Sequence, residues 1–199
     1  MDRNLLLAAG AGYLSGSISF ALLVARAKGV DLRAHGSGNP GATNAGRVLG
    51  RKYGVLVYLL DALKGALPAG VSLILGWPPS AAVLGAAGAF AGHLWPIWFG
   101  FRGGKGVATY SGAMLVLAPG ALLAGAVAFL VVVLATRVVA LGSLALGIVT
   151  PAALRLLDPT AATGERAPVF AFAAVGGALF FLTHRRNLAR LLARRKEGA

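Results

Sequence analysis

Residues 53–75 read YGVLVYLLDALKGALPAGVSLIL, an apolar run interrupted by one acid and one base. A helix rises ~1.5 Å per residue, so about 20 residues cross a hydrocarbon layer ~30 Å thick. This run is long enough. Charges inside a bilayer are costly, face a bundle interior and pair with one another. Asp61 and Lys64 stand three apart, on one helix face. The stretch is therefore read as a transmembrane helix carrying an internal ion pair, structural in the first instance and otherwise a support for a site.

The rest of the chain agrees with a membrane bundle. Only 13% of its 199 residues are charged and the mean hydropathy is +0.76, against about 25% charged in an ordinary soluble domain. Glycine occurs 29 times, which suits helices whose backbones approach closely. Further spans are expected at Leu5–Ala25, Ala81–Phe101, Gly106–Leu117, Ala121–Ala135, Val138–Leu156 and Ala167–Thr183. GWPPS (Gly76–Ser80) reads as a turn, and Leu157–Arg166 as a loop. The first run lacks a long basic lead and reaches spanning length, so it reads as a retained span rather than a cleaved signal. The expected fold is an all-α integral membrane protein: one polytopic domain over 1–199, with seven transmembrane helices. Gly106–Leu117 and Ala121–Ala135 are short, so five spans plus a re-entrant hairpin is the alternative.

Charge sets the expected orientation. Loop 26–52, loop 102–105, the Thr136–Arg137 break and the tail 185–199 together hold fifteen basic residues and two acids, Asp31 and Glu197. The opposite side holds three of each: Arg3, Arg155 and Arg166 with Asp2, Asp158 and Glu165. Basic loops stay inside, so the N-terminus is expected outside and the C-terminus in the cytoplasm. A net charge of +13 spread this way indicates a bacterial inner-membrane protein rather than a nucleic-acid binder.

Three polar segments then share the cytoplasmic face. GSGNPGATN (36–44) reads Asn39 as a helix N-cap and Pro40 as the first helical residue, with the helix running from Gly41 to about Lys52. Its glycines strip side chains from the backbone, and a helix N-terminus with such a nest binds phosphate. Ser37, Gly38, Asn39, Thr43 and Asn44 are candidate phosphate ligands, and Arg47, one turn on, a cationic fork. FRGGKGVAT (101–109) places Lys105 between Gly104 and Gly106, a good ligand for an oxyanion. It is not a nucleotide P-loop, because Gly106 stands where Ser or Thr must follow the lysine. THRRNLARLL (183–192) puts His184 and Asn187 on one helix face. Ser143 is expected to hydrogen-bond within the bundle. Trp95 and Trp98 fit an interfacial aromatic belt, and His93 beside them reads more readily as structural than as catalytic.

Several chemistries are excluded. The chain has no cysteine. Its His, Asp and Glu show no metal-ligand spacing, and no cofactor or obligate protein partner is implied. No histidine is followed five positions later by aspartate, so the H-x-x-x-x-D base of many acyl-CoA-dependent acyltransferases is missing. No G-x-S-x-G elbow occurs.

Taken in order, GSGNPGATN, GHLWPIWFGFRGGKGVAT (92–109) and HRRNLARL (184–191) resemble the bacterial acyl-phosphate:glycerol-3-phosphate acyltransferases, the PlsY family. The resemblance covers the whole chain in segment order and hydropathy. It implies a seven-span enzyme that moves a fatty acyl group from acyl phosphate to the sn-1 hydroxyl of glycerol 3-phosphate. The products are lysophosphatidic acid and inorganic phosphate, and this is the first acylation of phospholipid synthesis. It implies phosphate-pocket roles for Ser37, Gly38, Asn39 and Thr43 with Ser143, and glycerol 3-phosphate roles for Arg47, Lys105, His184 and Asn187. The family usually shows H-R-E-N where this chain has Arg186 in place of the glutamate. Acyl phosphate is an activated anhydride, so the substrate's own phosphate is expected to take the hydroxyl proton, with Ser37 as an alternative nucleophile. The implied partners are these two substrates and membrane lipid.

Two other classes fit the residues alone: a transporter of a phosphorylated small solute, and a structural membrane subunit that recruits acidic partners through its basic tail.

Overall fold

A computed structural model describes residues 2–197, and every regular element among them is helical. Residues 198 and 199 of the expected basic tail lie outside the described residues, as do the side chains of Arg194, Arg195, Lys196 and Glu197. The chain forms two compact units, Met1–Leu117 and Ala118–Ala199. By length and composition, six segments among the described residues are able to cross a membrane: Arg3–Ala27, Arg51–Ile74, Pro79–Phe99, Pro119–Thr136, Val139–Leu157 and Ala167–Ala193. The all-α polytopic expectation therefore holds. The segment expected at Gly106–Leu117 forms a helix of 11 residues, only ~16 Å long at ~1.5 Å per residue.

The first unit contains α1 (Arg3–Gly16), α2 (Phe20–Ala27), α3 (Ala42–Leu49), α4 (Arg51–Ile74), α5 (Pro79–Leu94), a 3-10 turn (Ile97–Phe99) and α6 (Val107–Leu117). Small residues join its helices. Side chains built at Gly12 and Gly16 of α1 would run into the α5 backbone at Gly85 and Ala89, and those at Gly88 and Gly92 into α1 at Ala9 and Tyr13. The four-residue spacing on both helices is the small-residue pattern by which membrane helices close up without bulky side chains. On α4, Gly65 meets Thr109 of α6, and Gly112 of α6 meets Ala62. Val55, Leu59, Leu63, Leu67 and Ile74 of α4 point outward, as lipid-facing residues do. Trp95 and Trp98 are exposed at one end of the α5 span, in keeping with an interfacial belt.

Three boundaries differ from expectation. The span read as Leu5–Ala25 breaks at Ser17–Ser19. Ser17 donates its hydroxyl back to the Tyr13 carbonyl (2.8 Å), and the Ile18 carbonyl accepts from Lys64 Nζ (2.6 Å). The span read as Ala81–Phe101 leaves the helix at Leu94, because Pro96 holds Trp95 out of helical geometry (φ −128°, ψ 68°). The surface helix read from Gly41 to about Lys52 starts at Ala42, with Gly41 as its extended cap residue and Asn39 and Pro40 left in the loop. It stops at Gly50, whose φ of 102° only glycine adopts easily. A small core of Ala21, Ala25, Leu32, Ala45 and Val57 seats α3 against α2 and α4.

The second unit contains α7 (Pro119–Thr136), α8 (Val139–Leu157) and α9 (Ala167–Glu197). Gly147 of α8 meets Gly177 of α9, and Gly125 of α7 meets Thr150 of α8. Leu123, Val127, Leu130, Val131 and Leu134 of α7 are exposed and apolar. The expected basic tail is the same helix as the last span: α9 runs through THRRN without a break. In the α8–α9 loop, the Thr160 N–H and hydroxyl donate to Asp158 Oδ1 (3.0 and 2.7 Å). Those two bonds hold the Asp158 carboxyl below the usual carboxylate range.

Candidate active site

The glycine-rich loop folds around one buried side chain. Asn44, 1% exposed, sits in the first turn of α3 and reaches back over the loop. Its Oδ1 accepts from the Ser37 N–H (2.8 Å), and its Nδ2 donates to the carbonyls of Leu32 (3.2 Å) and His35 (3.1 Å). The left-handed backbone at Gly36 (φ 62°) brings the chain so close that a Cβ there would strike Asn44 Oδ1. Asn44, expected as a ligand, thus spends its amide on holding the loop. Ser37, Gly38 and Asn39 are half-buried around it, and Thr43 and Arg47 are exposed. The last two are four apart on α3 and share its open face. No side chain caps α3; the Asn44 and Ala45 N–H groups bond the Gly41 carbonyl, so the N–H groups of Ala42 and Thr43 are the ones available to an anion.

The second polar segment comes to the first. After the 3-10 turn the chain doubles back, and the N–H groups of Gly103 and Gly104 donate to the carbonyls of Leu94 and His93 at the end of α5 (both 3.1 Å). A helix end needs such partners. Gly104 runs under the loop, with the Pro40 carbonyl 3.0 Å from where its Cβ would be. Gly106 has φ 86° and packs on the Phe90 ring. Lys105 lies between them, half-buried.

Arg33 fastens the two segments together. Its Nη2 donates to the carbonyls of Phe99 (3.1 Å) and Arg102 (2.9 Å). Its own N–H donates to Asp31 Oδ1 (2.9 Å), which turns the chain there. Sequence reasoning passed over Arg33, and the Asp31-x-Arg33 turn is the one local signal it gives. His35 Nδ1 bonds the Asp31 carbonyl (2.8 Å). The first unit therefore gathers the 36–44 loop, the α3 N-terminus, Arg47 and the 103–106 segment. It also forms the expected ion pair, with Lys64 Nζ 2.9 Å from Asp61 Oδ1.

The second unit carries the remaining candidates. His184 is buried, and its Nδ1 bonds the Phe180 carbonyl (2.9 Å). Asn187, half-buried, lies on the same α9 face, while Arg185 and Arg186 are exposed. Ser143 is buried and donates to the Val139 carbonyl one turn back (2.9 Å).

Known proteins were compared with this arrangement. A family model described as glycerol-3-phosphate acyltransferase matches residues 6–194. A glycerol-3-phosphate acyltransferase of Anaeromyxobacter sp. (strain Fw109-5) is 46% identical over 187 residues, 92% of this chain and 90% of that protein. One of Myxococcus xanthus (strain DK1622) is 46% identical over 188 residues, 94% of each. Among solved structures, the glycerol 3-phosphate form of PlsY, an integral membrane glycerol 3-phosphate acyltransferase, superposes with a TM-score of 0.86. It is 38% identical over 96% of this chain and 93% of that one. The lysophosphatidic acid form superposes with a TM-score of 0.83 at 37% identity.

Proposed function

The chain belongs to the glycerol-3-phosphate acyltransferase family, and from that premise we propose how its residues perform the acyl transfer. It is a multi-pass membrane enzyme. It moves a fatty acyl group from acyl phosphate to the sn-1 hydroxyl of glycerol 3-phosphate, giving lysophosphatidic acid and inorganic phosphate. The hydroxyl oxygen attacks the acyl carbonyl carbon, the bond from that carbon to the phosphate oxygen breaks, and phosphate leaves. Both substrates carry phosphate, so the site's task is to hold two anions close together and in line.

The observation that carries this reading is the meeting of the 36–44 loop with the 103–106 segment at the N-terminus of α3. The uncapped end of α3, Arg47 and Lys105 form a cationic cradle. Ser37, Gly38, Asn39, Thr43 and Gly104 line it, and Asn44 holds its shape. No carboxylate base stands among these residues, so the departing or the acceptor phosphate takes the hydroxyl proton. In the second unit, His184 and Asn187 are assigned to glycerol 3-phosphate and Ser143 to phosphate, as the sequence resemblance implies. Arg186, exposed on α9, stands where the family usually has glutamate, and the exchange is expected to be tolerated at the membrane surface.

We also propose seven crossings, with the N-terminus outside and loops 26–52 and 102–105 and tail 185–199 in the cytoplasm. The Gly103 and Gly104 N–H groups pair with the end of α5, and α6 follows directly as the short fourth crossing of this topology. Because the chain lacks cysteine, single cysteines at Gly76 and Arg137 will report their side to an impermeant thiol reagent. Opposite sides support the topology and the same side refutes it.

The deciding assay uses purified protein in lipid with palmitoyl phosphate and glycerol 3-phosphate, following phosphate and lysophosphatidic acid together. Matched products from acyl phosphate are expected, with none from palmitoyl-CoA. Activity with the CoA ester alone would refute the donor.

A further inference from the structure

The first unit contains a buried group of ionisable side chains that the chemistry above does not use. Lys64, Asp61 and His93 are 4%, 2% and 7% exposed. Lys64 Nζ donates to the Ile18 carbonyl in the α1–α2 break and lies 2.9 Å from Asp61 Oδ1. The same oxygen is 3.7 Å from His93 Nδ1, at ion-pair distance but too far for a hydrogen bond. Neither Asp61 Oδ1 nor His93 Nδ1 has a hydrogen-bonded partner. The other ring nitrogen, Nε2, faces Gly104: a Cβ on that glycine would strike it, and Cε1 stands 3.0 Å from the same point. A line of polar groups thus runs from the α1–α2 break through α4 and α5 to the backbone beside Lys105.

We propose that Asp61, anchored by Lys64, orients the His93 ring, and that His93 positions the 103–106 segment so that Lys105 meets substrate phosphate. Asp61 and His93 are then positioning residues for acyl transfer, and the inference rests on the function proposed above. Three observations support it. A buried ion pair adds little stability over an apolar pair of the same volume, so cohesion alone gives no reason to place three such groups here. The line ends at the glycine segment, not in the middle of the bundle. And Gly104 has no side chain with which to fix its own position, so the imidazole supplies the wall it rests on. With the ring proton on Nδ1, toward Asp61, the Nε2 lone pair faces the segment.

The test is a double-mutant cycle in the palmitoyl phosphate assay, with each variant's thermal midpoint measured in lipid. His93→Gln and Asp61→Asn are each expected to lower kcat/KM by about tenfold to a hundredfold, the loss that follows a small misplacement of a reacting group. The combined variant should be no worse than the larger single loss, because the two act through one path. In a Lys105→Ala background, His93→Gln should cost less than about threefold. Asp61→Asn together with Lys64→Met leaves no unpaired charge, so it keeps the cycle readable if Asp61→Asn alone does not fold. Losses that multiply, or full activity in folded His93→Gln, overturn the proposal while the wild type remains an acyltransferase. A wild type that makes no lysophosphatidic acid overturns the proposed function and this inference with it.

Discussion

Asn44→Ala tests whether the 36–44 loop depends on a side chain rather than on its glycines alone. Asn44 makes three hydrogen bonds to loop backbone, at 2.8, 3.1 and 3.2 Å. Truncation strands the Ser37 N–H and the Leu32 carbonyl, while His35 is exposed and water replaces its bond. A stranded buried group costs about 1–3 kcal/mol. Two groups near the low end give roughly 2 kcal/mol, or about 30-fold. That cost falls on the ordered state of the loop, because the helices of the bundle lose no contact. The expectation is a drop of about 30-fold in kcat/KM, with the thermal midpoint in lipid moving by only a few degrees. Asn44→Asp should be at least as harmful. It keeps an acceptor for the Ser37 N–H but sets carboxylate oxygens against two carbonyls that need a donor. Turnover of Asn44→Ala within threefold of wild type, in folded protein, would refute the argument.

Other substitutions test other parts of the structure. Arg47→Ala and Lys105→Ala should each cost tenfold to a hundredfold in kcat/KM, since a bond to a charged group contributes about 1.5–3 kcal/mol; near-normal turnover in both, with normal membrane insertion, would sink the site assignment. Gly112→Leu should abolish recovery of folded protein, because its side chain would enter the α4 backbone at Ala62, whereas Gly70→Leu should be tolerated, because nothing lies within 4 Å of its Cβ; size-exclusion chromatography of the two variants separates the cases. Asp158 has its pKa lowered in the fold by its bonds to Thr160, so its contribution is present above the unfolded carboxylate value and is lost as pH falls through the folded one. Asp158→Asn should therefore flatten the decline of the thermal midpoint below about pH 4, and an unchanged decline would show that the carboxyl has no part in it.

The spans were legible because apolar length is a property of the sequence itself, and Asp61 with Lys64 because their partnership is local, three residues along one helix. The glycine loop was legible as a candidate anion site for the same reason, since its donors and glycines are neighbours in sequence. What escaped were links that only a folded chain makes. Arg33 is fixed by carbonyls at Phe99 and Arg102, His93 stands between Asp61 and Gly104, and Asn44 is held by backbone seven to twelve residues behind it. Helix limits failed where backbone geometry overrode hydropathy. Ser17–Ser19 is apolar enough to continue a span, yet the Ile18 carbonyl turns to a buried ammonium, and a bilayer tolerates open backbone only where protein satisfies it. That break is therefore tied to Lys64 rather than to the composition of α1. The irregular backbone at Ser17–Ser19 and the intramembrane charge at Lys64 satisfy one another, so neither is read fully without the other.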